Sequence, residues 1–125
     1  MGITGEVGEY EAARLLRLNL CDARQRGHDA ELKRNGRIQK FEIKTRLIPR
    51  NHNPGQRMSG IKLEGDWHAV LLVILDEEFE PVSIYQASRQ RVAKEILRPG
   101  SISRNKRGAL PVAKFKSIGR RVWPA

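Results

Sequence analysis

This sequence predicts an α/β fold, a mixed β-sheet carrying helices on its faces, and three observations predict it. Asn35-Gly36 joins two segments of alternating apolar and polar residues, the signature of a tight β-hairpin. Residues 67–75, WHAVLLVIL, are almost continuously apolar and rich in branched side chains, as in a central strand covered on both faces. Helical patterns stand before the hairpin and after the core strand. The order helix, hairpin, core strand, strand, helix belongs to an α/β sandwich.

Residues 4–19 form the first predicted helix, with Thr4 as its N-cap and good helix formers throughout. Glu9, Ala12, Ala13 and Leu16 fall on one side of it, so a glutamate is aimed toward the interior. Residues 20–26 read as a short strand or connector, and strands follow over 29–33 and 37–47. In the second of these, Phe41, Ile43, Thr45 and Leu47 alternate with Lys40, Glu42, Lys44 and Arg46, giving one mostly apolar face and one charged face. Residues 48–65 contain two prolines and several glycines and read as a long loop, a kind that is often functional. Residues 76–81 turn the chain and 82–85 are a further strand. Ser88 caps a helix that runs to about residue 97, before Pro99-Gly100 ends it. Residues 101–108 read as a basic loop, and 111–118 as a last short helix with Pro111 in its first turn.

At 125 residues the chain fits one domain, 1–125, with a modest core. Its charge is unevenly spread. Residues 1–85 carry 13 Lys/Arg and 13 Asp/Glu, whereas residues 86–125 carry 11 Lys/Arg and a single acid, Glu95, so the whole net charge of +10 sits in a basic C-terminal segment. Such a segment on a neutral body points to a polyanion, DNA or RNA. A solubilising face, or an acidic protein partner, would use the same charge. Cys21 is the only cysteine, which rules out an intrachain disulfide; a cytoplasmic protein with Cys21 as a small core residue is the expectation. No run approaches the roughly 20 apolar residues of a membrane span. No basic segment followed by an apolar stretch opens the chain, and Glu6 stands where a myristoylation motif needs Ser or Thr.

Several chemistries lack their residues. His28, His52 and His68 with one cysteine show no zinc-ligand spacing, which argues against a structural zinc. Asn51-His52-Asn53 lacks the partnered histidines of an HNH site, no glycine-rich phosphate loop follows a strand, and no triad signature is evident. Seven aromatic residues give little support to stacking-based recognition of single strands.

The charged strand face is where chemistry is expected. Glu42 and Lys44 are two apart and project from one face, and Asp29 lies across the tight turn on the partner strand. Two carboxylates beside a lysine can hold a Mg2+-like ion through oxygens and help to activate a water, which phosphodiester hydrolysis requires. The same residues also fit a solvated strand face in which Glu42 and Lys44 pair with Lys40 and Arg46. Asp29 would then be a structural residue near the turn, and Glu9 would pair with Arg14. Composition alone favours that plainer reading.

Asp29, twelve intervening residues and then Glu42-Ile43-Lys44 resembles the PD-(D/E)xK signature of the restriction-endonuclease-like superfamily. The following stretch, TRLIPR…GQRMSGIKL, is similar to small prokaryotic and phage members of it. The resemblance covers residues 5–88 in element order. It implies a restriction-endonuclease-like sandwich, in which an antiparallel hairpin of a mixed β-sheet is flanked by helices, and a DNA endonuclease dependent on Mg2+ (or Mn2+). Carried over, Asp29 and Glu42 are metal ligands, Ile43 offers its carbonyl to the metal, Lys44 orients or polarises the water, and Glu9 or Glu6 is the acid of the first helix. His28 stands where the signature has proline, and many relatives are inactive. A non-catalytic nucleic-acid-binding module and an interaction protein for an acidic partner are therefore the alternatives. Arg46, Arg50 and Arg57, with Arg104, Lys106 and Arg107 of the basic segment, are expected to hold phosphates. A homodimer would bring two sites to two strands.

Overall fold

The computed structural model describes residues 2–22, 27–49, 56–58, 60–99 and 108–125. Along the chain these form α1 (Ile3–Leu16), β1 (Asn19–Leu20), β2 (Ala30–Arg34), β3 (Arg37–Leu47), β4 (Arg57–Met58), β5 (Ala69–Leu75) and β6 (Pro81–Ser88). Helix α2 (Arg89–Ile96), β7 (Leu110–Pro111), α3 (Val112–Ile118) and β8 (Arg120–Trp123) complete it. Six strands make one sheet in the order β1-β2-β3-β5-β6-β8. Neighbours are antiparallel except β3 and β5, which run parallel.

The apolar run of β5 is explained by two cores, one on each face of the sheet. Val70, Leu72 and Ile74 point toward Trp67, Val92 and Ile96 of α2 and Phe115 of α3. Leu71, Val73 and Leu75 point the other way, toward Ala12 of α1, Phe41, Ile43 and Ile84. All seven residues of β5 are buried, and each large apolar side chain among them contributes about 1.5–3 kcal/mol. The result is a mixed α/β fold with three helices flanking a six-stranded mixed sheet.

The expected hairpin forms around Asn35 and Gly36, both at positive φ (53° and 75°), as a primed two-residue turn needs. Its first strand starts one residue later than expected, which leaves Asp29 just ahead of β2. Ser88 caps α2, its side chain accepting the Arg91 N–H. Thr4 does not cap α1: Gly2 holds the N-cap position without a side-chain bond, and Thr4 lies within the first turn. Helix α1 also stops at Leu16, because Arg17 turns left-handed and leads the chain into β1. At Gly8 the helix lies so close to β3 that a side-chain carbon would overlap Thr45.

The long loop holds a strand that the sequence does not announce. β4 pairs antiparallel with β7, which sets Arg57 and Met58 beside the segment just before α3. β8, likewise unexpected, adds to β6 as the last strand of the sheet. Strands of two to four residues are too short to show a period. The basic segment is also partly structural. The Arg89 guanidinium donates to the carbonyls of Leu63, Gly65 and Trp67 and lies 4.5 Å over the Trp67 ring, and Arg91 donates to the Ile118 carbonyl at 3.0 Å. Among the described residues no helix is long and apolar enough to cross a membrane.

Candidate active site

β3 changes partner in its middle. Its residues 37–41 pair with β2, and its residues 41–47 pair with β5. Beyond Phe41 no strand among the described residues pairs with the edge that faced β2. Asp29 takes up the first part of that edge: its N–H donates to the Phe41 carbonyl at 2.8 Å, and its carboxylate accepts the Ile43 N–H at 2.8 Å. In an extended strand the N–H and C=O of one residue point to the same edge, so the Ile43 carbonyl faces this side as well. The N-terminal end of α1 closes the space from the other side. Between them lies an open cavity of about 450 Å³, lined by Gly2, Thr4, Gly5, Glu9, Asp29 and residues 42–46.

The charges around this cavity are poorly compensated. Burial pushes the Glu42 carboxyl up to about 8, helped by its hydrogen bond with Asp29 and by the Asp29 charge; Lys44 and Lys62 draw it partly back. Burial also raises the Glu9 carboxyl, with Asp29 and then Glu6 adding like charge. Asp29 is thus the link between the helix acid and the strand acid. The Lys44 ammonium stands 3.9 Å from the Glu42 carboxylate and donates to the Gly60 carbonyl at 3.0 Å. Gly60 has φ +78°, a conformation that glycine adopts without strain.

These contacts set aside the solvated-face reading for Glu42 and Lys44, whose side chains are only 16% and 21% exposed. Lys40 pairs instead with Asp66 at 2.7 Å, and Arg14 with Glu11, not Glu9, at 2.6 Å. Asp29 is structural and cavity-facing at once. Arg46 lines the cavity, but its guanidinium is half-buried and donates to the carbonyls of Arg57 (2.7 Å) and Thr45 (2.8 Å), so much of its capacity is already used. The exposed Arg57 sits on β4. Arg50, Arg104, Lys106 and Arg107 lie outside the described residues. Lys62 and the first turn of α1 join the site without a signal in the sequence. Lys62 lies in a loop without a period, and nothing in residues 2–5 marks them as cavity wall.

The donors offered here are carboxylate oxygens and a backbone carbonyl, the set that hard divalent cations prefer. Carboxylates crowded enough to keep a proton on Glu42 near neutrality also favour a cation between them. The residues present therefore fit a Mg2+-class ion.

A second cluster lies behind the first. Cys21 is half-buried rather than a core residue, and its Sγ, a His28 ring nitrogen and a Glu31 carboxylate oxygen all fall within 4.8 Å of one another. Zinc-ligand spacing in a sequence concerns cysteines and histidines, and Glu31 lies outside it.

No protein-family model matches the chain, and no curated protein matches it.

Proposed function

We propose that this protein is a metal-dependent DNA endonuclease of the PD-(D/E)xK kind, with a restriction-endonuclease-like core. The observation that carries the reading is the meeting of Glu9, Asp29, Glu42 and Lys44 around one open cavity at the edge of β3. Asp29, Glu42 and the Ile43 carbonyl would hold Mg2+ or Mn2+, with Glu9 extending the acidic wall. When bound, such an ion offsets charge developing on the phosphoryl oxygens and makes a water more acidic. Lys44, kept beside Glu42 by its bond to Gly60, orients and polarises the attacking water. Gly2, Thr4 and Gly5, at the positive end of α1, line the cavity and favour an anionic phosphate there.

Supercoiled plasmid incubated with the purified protein tests this. Nicking or cutting is expected in Mg2+ or Mn2+ and none in EDTA. Glu42→Ala should lose metal affinity and cleavage together, whereas Lys44→Ala should keep the metal and cleave slowly. Cleavage by both variants at the wild-type rate would refute the assignment.

A second reading, a nucleic-acid-binding module without chemistry, is favoured by the exposed cations Lys116, Arg120 and Arg121 on α3 and β8. Absence of cleavage with every divalent metal, together with DNA binding that salt weakens steeply, would select it. Each lost phosphate contact then lowers the log–log salt slope by about 0.9.

A further inference from the structure

We propose that Cys21, His28 and Glu31 form a separate site for a thiophilic divalent cation of the Zn2+ class. Cys21 directly follows β1, His28 stands two residues before β2 and Glu31 lies in β2; the two strands pair antiparallel with Asn19 opposite Glu31 and Leu20 opposite Ala30. The Cys21 N–H continues that pairing, donating to the Asp29 carbonyl at 2.9 Å. The ladder therefore fixes Cys21 against the β2 entry, while His28 and Glu31, three apart, reach back to it.

The chemistry of the donors selects the metal. A thiolate, an imidazole and one carboxylate suit Zn2+ or Co2+ and not Mg2+, which takes oxygens. Three protein ligands leave a fourth tetrahedral position for water. The His28 side chain is 2% exposed, so it is already held in place, whereas the Glu31 side chain is 30% exposed and can adjust. His28 Nε2 and Glu31 Oε2 now share a hydrogen bond at 2.7 Å. Zinc–ligand bonds of about 2.0–2.3 Å set tetrahedral donors roughly 3.4–3.6 Å apart. Binding thus needs that pair to open by roughly 0.7 Å and the sulfur to close in, within the reach of a partly exposed glutamate and a cysteine rotamer.

The site is not part of the candidate active site, although it touches the same residue from behind. Asp29 lies between His28 and Ala30, its carbonyl toward Cys21 and its carboxylate toward Ile43. An ion held on either side of Asp29 would stiffen the segment that presents its carboxylate. The proposal does not rest on the nuclease reading, since it concerns binding alone.

Titration of the full chain with Co2+ under reducing conditions tests it. The near-ultraviolet thiolate-to-cobalt charge-transfer band should appear and saturate at one equivalent of thiolate-bound Co2+, and Zn2+ should displace it. Cys21→Ser should abolish the band. Glu31→Gln, a nearly isosteric change at a partly exposed position, should weaken binding by at least the about 10–100-fold that even an outer-shell change costs. Glu42→Gln should leave the band and its midpoint unchanged. If Cys21→Ser does not fold, Glu31→Gln decides alone. Binding without the charge-transfer band, one metal per two chains, or an unchanged midpoint in Glu31→Gln would overturn the proposal.

Discussion

The two halves of β3 belong to one continuous strand and reach different chemistry. In residues 37–41 the strand is bonded to β2; Arg37 and Ile38 are exposed there, and Lys40 makes an ordinary pair with Asp66. In residues 42–47 the bonding passes to β5, and Glu42, Lys44 and Arg46 are drawn in under the loop that carries Arg57, Gly60 and Lys62. A period of two says which side chains share a face. It does not say what covers that face, and here the change of partner at Phe41 decides it.

The largest effect should come from breaking the second half where its charges meet. Glu42→Ala is expected to lower plasmid cleavage by about 10²–10⁴-fold, the usual range for a positioned catalytic group, and Lys44→Ala by about 10²-fold or more. Arg37→Ala, in the first half, should leave the rate unchanged. A comparable loss in Arg37→Ala would mean that the halves do not differ as described. Next in size is packing: Gly8→Ala forces a side-chain carbon into Thr45 and should cost about 1–3 kcal/mol of unfolding free energy in urea melts, whereas Arg37→Ala should cost about 0.5 kcal/mol or less.

A pH dependence sharpens the contrast further. Glu42 keeps its proton to about pH 8 in the folded protein, against an ordinary value of 4.5. Between those values the folded state binds more protons than the unfolded one, so stability falls as pH rises from 4.5 toward 8 and levels off above. Glu42→Gln removes this slope. In EDTA its Tm should exceed that of the wild type by on the order of 5 °C at pH 8, and by little at pH 4.5. An equal difference at both pH values would show that Glu42 titrates as an exposed carboxyl. A small effect belongs to the turn: Gly36→Ala, with φ held at 75°, should cost about 1 kcal/mol and leave metal binding intact.

The elements with a strong local signal were legible. Asn35-Gly36 fixes a turn because both residues accept positive φ, the run in β5 is apolar because both its faces are covered, and Ser88 caps the helix after it. The nearness of Asp29 to Glu42 followed from hairpin geometry, since the two flank the same antiparallel ladder. What stayed hidden depends on distant pairing. β4 exists because β7 lies beside it, and β8 because β6 has an open edge. Arg89 could not be told from a ligand-facing cation, because its partners are backbone carbonyls that the sequence does not mark. Cys21, His28 and Glu31 escaped notice for a related reason: a carboxylate ligand has no spacing rule that separates it from any other glutamate.

The parallel ladder between β3 and β5 also bears on how the molecule assembles. β2–β3 and β5–β6 each join strands adjacent in the chain and can close in about 1–10 μs, whereas the ladder between them must first close the long intervening segment. In the unfolded chain Glu42 is in water, where its ordinary value of 4.5 leaves it ionised at neutral pH. Docking of β5–β6 and of α1 is the event that removes that water. Burial raises the Glu42 carboxyl to about 8, so folding at neutral pH takes up a hydrogen ion.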